Sequence, residues 1–390
     1  MDFLDFLTPI NIKKLHLEQI KGKYSLNSNT VKYIKSGYFP ELNKINLAII
    51  GVEEGRNSVG NENTGNAPDE IRKEFYRLYK GSFNLRIADL GNIKPGNSVN
   101  DTYVALSRIV SALLEKKIIP IIIGGSQDLS FAQYKGYEFL NKAIDCIIID
   151  HEFDLGNLKE TEVINSNNYL YKIITNHPNY LFNVSVIGYQ TYFVYQPLLE
   201  TFEKLNFDSY RLGEVRSNIE DIEPVIRCAD MISFDIASIK MADAPASYQP
   251  NVNGFYGEEA CRITRYAGMS DKLTSIGFYN MNPEFDNRNQ TASLISQMMW
   301  YFIEGYYNRK NDLPEISKKN FTKYITAFEK HNQELVFFKS NKTNRWWMEV
   351  PSKNNEKENK KIIPCSYKDY EAACNQELPN KWWQAFNKLN

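Results

Sequence analysis

The sequence predicts an α/β fold: a doubly wound, three-layer parallel sheet that carries a C-terminal extension. The prediction comes from short apolar runs that alternate with amphipathic stretches through residues 45–309. Apolar strands that alternate with helices form parallel sheets whose two faces are both covered. We therefore divide the 390-residue chain into an N-terminal segment (1–44), an α/β domain (45–309) and an aromatic-rich extension (310–390).

The individual elements of the α/β domain follow from hydrophobic spacing. Pro68 suits the first turn of the first helix, and Asn100 or Asp101 is the expected cap of the second. Strands are predicted at 45–52, 84–91, 118–125, 145–150, 182–190, 231–236 and 272–281, and helices at 67–79, 99–117, 130–143 and 290–309.

Composition narrows the class of protein. A net charge of −1 with 24% charged residues gives no indication of a nucleic-acid or anionic-membrane partner. The five cysteines are odd in number and form no CxxC pair, which is typical of free thiols in a reducing compartment. The N-terminus carries Asp2 and Asp5 where a signal peptide would carry basic residues, and no segment approaches the roughly 18 apolar residues of a spanning helix. We expect a cytoplasmic protein without a membrane span.

The amino-acid composition of the extension differs from that of the preceding domain. All five tryptophans lie at or after position 300, four of them as the pairs 346–347 and 382–383. The last part reads as two short helices around Pro379. We expect these aromatic residues to dock the extension on the main domain, with Trp346 and Trp347 largely buried; a surface for a partner protein is the alternative.

Three segments place polar groups after predicted strands. They are 124–128 (Gly-Gly-Ser-Gln-Asp), 150–154 (Asp-His-Glu-Phe-Asp) and Asp235 with its neighbours. Functional sites of parallel sheets form outside the carboxyl ends of the strands. Capping of a following helix would explain one such aspartate but not the whole set, so the convergence predicts a site.

At these three strand ends the sequence resembles the ureohydrolase superfamily, which contains arginase, agmatinase and formimidoylglutamase. Residues 67–72 (Ala-Pro-Asp-Glu-Ile-Arg), 254–259 and 282–292 are similar to further motifs of that family. The resemblance covers about residues 45 to 307. It implies an arginase-like fold and a centre in which two manganese ions activate a bridging hydroxide.

The sequence differs from the family pattern at the positions of the metal ligands. Asp150, Asp154 and Asp235 match ligand positions, whereas Glu152 stands at a ligand histidine and can still bind a metal ion. Two further positions are weakened: Gln127, in the pair Ser126-Gln127 where the family has Asp-His, offers one neutral oxygen, and Ala237 offers nothing.

The resemblance therefore implies at most one divalent ion, oxygen-coordinated Mn²⁺ or Mg²⁺, or no ion. Without the second ion the low-pKa hydroxide is lost. His151, as the strand neighbour of Asp150, is expected to point to the opposite face and to be a packing residue. Lys240 could replace the lost ion, and Glu259 matches the carboxylate that faces the substrate in the family.

Two functions of different class remain open. The favoured hypothesis is a catalytically inactive binding or scaffold protein, with a partner protein at the extension. The alternative is a hydrolase with a remodelled single-metal site that cleaves a linear amidine C–N bond, in formimidoylglutamate or a guanidino compound. A third hypothesis, nucleotide binding at Gly124-Gly125, is weaker, because two glycines alone do not form the extended loop that binds phosphates. The family assembles as trimers or hexamers, and the extension could block or replace that interface.

Overall fold

The computed structural model describes residues 4–156, 163–314, 318–328, 333–352 and 360–389. The strands are β1 (Leu7–Thr8), β2 (Thr30–Lys32), β3 (Leu47–Val52), β4 (Ile87–Ile93), β5 (Ile119–Ile123), β6 (Ile144–Ile149), β7 (Leu181–Tyr189), β8 (Asp208–Arg211), β9 (Met231–Asp235), β10 (Ser275–Tyr279), β11 (Phe321–Phe328), β12 (Gln333–Ser340), β13 (Trp346–Pro351) and β14 (Lys360–Cys365). The α-helices are α1 (Leu26–Asn29), α2 (Ala67–Phe75), α3 (Val99–Glu115), α4 (Leu129–Glu138), α5 (Tyr169–Ile174), α6 (Gln196–Lys204), α7 (Leu212–Ser217), α8 (Glu223–Ile226), α9 (Gly257–Met269), α10 (Gln290–Tyr307), α11 (Tyr367–Cys374) and α12 (Asn380–Leu389).

The main sheet has ten strands in the order β1-β4-β3-β5-β10-β9-β6-β7-β8, and β2 also pairs with β4. Every pairing is parallel except that of β1 with β4. The predicted α/β architecture with a mainly parallel sheet is therefore confirmed. The N-terminal segment contributes β1 and β2, so the sheet extends beyond the predicted domain boundary at residue 45.

Side chains of the central strands alternate between cores on the two faces of the sheet. In β5, Ile121 and Ile123 belong to a core that also contains residues of α2, α9 and α10. Ile122, between them, belongs to a second core formed with α3. All five residues of β5 are buried, because helices cover both faces of the central strands.

The start of α3 differs from the sequence-based expectation. Ser98 has extended dihedral angles and caps the helix: its hydroxyl accepts from the backbone N–H of Asp101, and the Asp101 carboxylate accepts from the N–H of Ser98. The prediction that Asn100 or Asp101 is the cap is therefore wrong. Asp101 is the reciprocal partner within a capping box, three residues after the cap.

The extension forms a second, four-stranded antiparallel sheet, β11-β12-β13-β14, with α11 and α12. The two helices flank Pro379, as predicted. Trp346 and Trp347 are 7% and 2% exposed, which confirms their predicted burial. The extension packs on the main domain through Arg227, which donates hydrogen bonds to the carbonyl oxygens of Trp346 (3.2 Å) and Cys365 (3.3 Å).

All five cysteines are free, as expected. Within the described ranges, no helix combines the length and the apolar character that a membrane crossing requires.

Candidate metal centre

The candidate site lies where three adjacent strands end. β6 ends at Ile149, β9 at Asp235 and β10 at Tyr279, and β9 pairs with both of the others in parallel. Because parallel strands end at the same edge, Asp150, Asp235 and Asn280 are brought together there. The neighbouring strand β5 leads into the loop that carries Gln127.

Asp150, His151 and Asp235 form a buried cluster in which one ligand atom from each residue lies within 4.8 Å of the others. Oδ1 of Asp150 accepts from the N–H of His151 at 2.6 Å, whereas Oδ2 has no hydrogen-bond partner among the described residues. Nδ1 of His151 lies 2.9 Å from Asp150 Oδ1, an ion-pair distance, but without hydrogen-bond geometry. Buried polar atoms are rarely left without partners, and carboxylate oxygens with an imidazole nitrogen suit a divalent cation.

The position of His151 corrects the expectation that its side chain points away from Asp150. Alternation of side chains holds within a regular strand, but β6 ends at Ile149, before either residue. The carbonyl oxygen of His151 accepts from the N–H of Gln190, and its ring packs edge-on against Phe193 with centroids 5.4 Å apart. These contacts turn the imidazole toward Asp150. The cluster therefore contains a nitrogen donor where an all-oxygen site was predicted.

Asp154 and Glu152 lie beside the cluster in different environments. Asp154 is buried, and its burial together with the charges of Asp150 and Glu152 raises its pKa well above the usual value. The Glu152 side chain is 38% exposed, and its Oε1 lies 3.6 Å from Nε2 of His151. That Glu152 and Asp154 bind metal remains a prediction.

Gln127 is connected to the cluster through Asn280, a residue that sequence analysis missed. Asn280 donates from Nδ2 to Oδ2 of Asp235 (2.8 Å) and to Oε1 of Gln127 (3.3 Å), and its Oδ1 accepts from the N–H of Gln127. The Gln127 side-chain oxygen predicted as a ligand is thus already hydrogen-bonded. A polar residue directly after the apolar strand at 275–279 was the signal that could have identified Asn280.

The cluster favours protonated forms when no cation is present. Burial, followed by the charge of Asp150, raises the pKa of Asp235 to about 8, although hydrogen bonds from the Ala237 N–H and Asn280 act in the opposite direction. Burial alone would lower the pKa of His151, but the neighbouring Asp150 carboxylate raises it to about 9. A divalent cation would take the place of these protons, so the residues fit such an ion.

A cavity of about 270 Å³ opens onto the cluster. Its lining includes Asn61, His151, Glu152, Asp154, Asp235, Ala237, Tyr248 and Asn280. It therefore gives a small molecule access to the acidic residues. The structure brings Ala237, which by resemblance stands at a metal-ligand position of the family, to the wall of this cavity.

Glu259 is not among the described residues that line this cavity. Its carboxylate accepts from the backbone N–H of Tyr256 at 2.8 Å, as part of the cap of α9, and lies 3.4 Å from Nε of Arg216. Its role in substrate binding remains a prediction. The Lys240 ammonium lies over the Tyr256 ring, 5.1 Å from the centroid, so the structure does not support its replacing a metal ion.

The chain matches the sequence model of a known protein family. The model of the arginase family matches residues 45–304, which contain strands β3 to β10 of the main sheet and the cluster. The chain belongs to the arginase family. This membership confirms the resemblance that was inferred from the strand-end motifs.

Two proteins with similar sequences are formimidoylglutamases. The enzyme of Staphylococcus haemolyticus is 28% identical over 261 residues, which cover 65% of this chain and 82% of the relative. That of Staphylococcus aureus is 25% identical over 268 residues, covering 67% and 81%. The chain thus spans most of the length of these relatives, and the extension lies outside the matched family region.

Solved structures share the fold at low sequence identity. The formiminoglutamase of Trypanosoma cruzi, solved with Mn²⁺, superposes with a TM-score of 0.64 at 18% identity and covers 69% of this chain and 96% of its own. The formimidoylglutamase of Bacillus subtilis gives 0.63 at 18% identity, covering 70% and 91%. The agmatine ureohydrolase of Thermoplasma volcanium gives 0.57 at 20% identity, covering 75% and 98%.

Proposed function

We propose that this arginase-family chain is a metal-dependent hydrolase that cleaves the C–N bond of a linear amidine, either formimidoylglutamate or a guanidino compound, at a single-metal site. The observation that carries the proposal is the buried Asp150–His151–Asp235 cluster, whose ligand atoms lie within 4.8 Å of one another. The formimidoylglutamase relatives support a hydrolase more than an inactive protein. The sequence alone favoured an inactive binding protein; the relatives favour the hydrolase.

Asp150, His151 and Asp235 would hold the ion, which we expect to be Mn²⁺ or Mg²⁺. When bound, such an ion supplies Lewis-acid activation of water. Asn280 orients Asp235 by donating to its Oδ2, and the Ala237 N–H donates to Oδ1 at 2.7 Å. Asp235 is therefore held in one orientation from two sides, which favours a defined ion position.

Glu152 is the candidate proton acceptor. Its side chain lines the cavity and is partly exposed, so it can reach both solvent and a bound molecule. Burial and the charge of Asp150 raise its pKa, while His151 opposes the shift. A raised carboxyl pKa brings the group closer to the pH at which it can accept a proton from water and pass it to a leaving amine.

The substrate class follows from the charge of the cavity. Amidines and guanidines are cations near neutral pH, and the cavity is lined by Glu152, Asp154 and Asp235. Carboxylates attract such a cation and can accept hydrogen bonds from its N–H groups. Glu259 would require a rearrangement of its contact with Arg216 to take part.

The test is an assay of chelator-stripped protein reloaded with Mn²⁺. Formamide release from formimidoylglutamate and urea release from agmatine and arginine should be measured with metal stoichiometry. We expect turnover of one of the three substrates with one ion per chain. Asp150→Asn should lose both the ion and activity, whereas Glu152→Gln should lose activity and retain the ion. One bound ion with no turnover of any of the three would reject the proposal.

An inactive binding protein is the second candidate, and one specific observation favours it. Gln127, at a family histidine ligand, is tied to Asn280, and Ala237 offers no ligand atom, so a second ion lacks donors. In that case the exposed aromatic residues Tyr367 and Trp383 of the extension are where a partner protein would bind. Two bound metal ions per chain would exclude the single-metal site and return the protein to the dimetal hydrolases.

A further inference from the structure

A second cavity, of about 300 Å³, lies between the main domain and the extension. We call it the basal cavity. Its wall includes Asp145 at the start of β6, whereas the candidate metal centre lies just past the other end of the same strand. The five residue steps from Asp145 to Asp150 span about 16 Å in extended conformation, so the two sites are separate.

Six basic residues line the basal cavity, against two aspartates: the bases are Lys142, Arg227, Lys272, Lys361, Lys381 and Lys388, and the acids are Asp145 and Asp208. The excess is not fully neutralised by nearby carboxylates. Lys142 and Lys272 each pair with Asp230, and Arg227 pairs with Glu223. Lys388 lies 3.9 Å from Asp208.

Lys361 and Lys381 have no carboxylate within ion-pair distance among the described residues. Lys381 donates a hydrogen bond to the carbonyl oxygen of Pro224, at 3.1 Å. The Lys361 ammonium lies over the ring of Phe182, and its burial lowers its pKa. Both lysines are half-buried, so their charges are partly desolvated without an adjacent anionic partner, and an anion bound beside them would offset that cost.

Much of the remaining wall of the basal cavity is apolar, although Asn183, Ser185 and Gln384 also line it. Phe182, Trp347 and Ile363 contribute to it from β7, β13 and β14. The Trp347 ring is also stacked by the Arg227 guanidinium at 4.3 Å. A ligand that matched both parts of this wall would need an anionic group joined to an apolar chain or ring.

We propose that the basal cavity is a binding site for a small amphipathic anion, a carboxylate or phosphate that carries an apolar chain. The anionic group lies between Lys361 and Lys381, and the apolar part packs against Phe182 and Trp347. The site is formed jointly by the main domain and the extension. It does not depend on the metal centre or on the hydrolase activity proposed above.

The test is calorimetric titration of the full chain with octanoate, octyl phosphate and octan-1-ol. We expect one molecule of octanoate or octyl phosphate per chain, and an affinity for octan-1-ol at least about tenfold weaker. The comparison of the two anions identifies which headgroup the lysines prefer. Equal affinity for the alcohol would reduce the site to an apolar crevice and overturn the proposal.

A matched pair of variants locates the site. Lys361→Gln should weaken binding of the anion at least about tenfold. Lys360→Gln removes the same charge from the adjacent position on β14, where the lysine pairs with Glu349 and does not line the cavity, and should leave binding unchanged. Equal effects of the two substitutions, or no saturable heat with either anion for the parent protein, would overturn the proposal. Thermal melting of each variant establishes that it is folded.

Discussion

His151 and Asp150, adjacent in the chain, direct their side chains toward each other, with Nδ1 2.9 Å from Oδ1. Neighbouring residues of a strand point to opposite faces, so this arrangement exists only because β6 ends at Ile149. It adds an imidazole to a cluster in which the sequence indicated carboxylates.

Replacing His151 by alanine should weaken Mn²⁺ binding at least about tenfold, because the cluster loses its nitrogen donor. Isothermal titration of chelator-stripped protein measures the change. His177→Ala is the matched control, since His177 is exposed in the turn before β7 and should leave the affinity unchanged. Equal affinity of His151→Ala and the parent protein would show that His151 only packs.

Asp235→Asn should have opposite effects on stability with and without metal. In chelator at about pH 9, above the raised pKa of Asp235, the melting temperature should stay unchanged or rise, because one buried like charge is removed from beside Asp150. With Mn²⁺ at 100 times its dissociation constant, the parent gains about 2.7 kcal/mol and the variant should gain much less. Differential scanning calorimetry in both conditions measures this, with Glu203→Gln on the exposed side of α6 as control. A marked loss of stability in chelator would contradict the repulsion argument.

Affinity for Mn²⁺ should rise with pH from about 6 to 9. The ion binds the deprotonated cluster, whereas Asp235, with a pKa raised to about 8, and His151, with a pKa raised to about 9, hold protons below those values. Protons must therefore leave as the ion binds at pH 7. Titration in buffers of different ionisation enthalpy counts them. Binding without proton release at pH 7 would contradict the raised pKa values.

Asn280→Asp should destabilise the metal-free protein by about 1–3 kcal/mol at pH 8, because Asp235 loses a donor and gains a like charge. The loss should shrink at pH 5, where the introduced carboxyl is more protonated. Asn280 has a φ of 67°, a conformation that aspartate tolerates as asparagine does, so the backbone is retained. Urea unfolding measures the effect. Asn206→Asp, at a φ of 57° outside the site, is the control and should change stability little.

Arg227→Lys should weaken the attachment of the extension. The substitution keeps the charge but loses the planar group that donates to the carbonyl oxygens of Trp346 and Cys365, so we expect a loss of about 2–3 kcal/mol. Urea unfolding and limited proteolysis within residues 310–390 measure it. Arg265→Lys, whose partner Glu304 is also partly exposed, should cost less than about 1 kcal/mol. Equal losses in the two variants would show that Arg227 has no special role in docking.

The sequence by itself determined the sheet and the edge at which the site lies. Apolar runs such as residues 118–125 and 145–150 predicted buried parallel strands, since only strands covered on both faces lack polar positions. The expected meeting of Asp150 and Asp235 came from the family resemblance of the two strand ends, because the carboxyl ends of parallel strands lie at the same edge. The burial of Trp346 and Trp347 was predictable in the same way, from the cost of exposing large aromatic rings.

Only the tertiary structure decided which side chains join Asp150 and Asp235. Beyond the last residue of a strand the backbone has no ladder of hydrogen bonds to fix its direction, so Gln190 and Phe193, distant in sequence, set the orientation of His151. Asn280 reaches both Gln127 and Asp235 because β10 lies between β5 and β9, an order that the strands' succession in sequence does not reveal. The basal cavity likewise exists only where the extension folds back on the main domain. Local periodicity fixes which elements form, whereas contacts between elements far apart in the chain fix where the functional groups point.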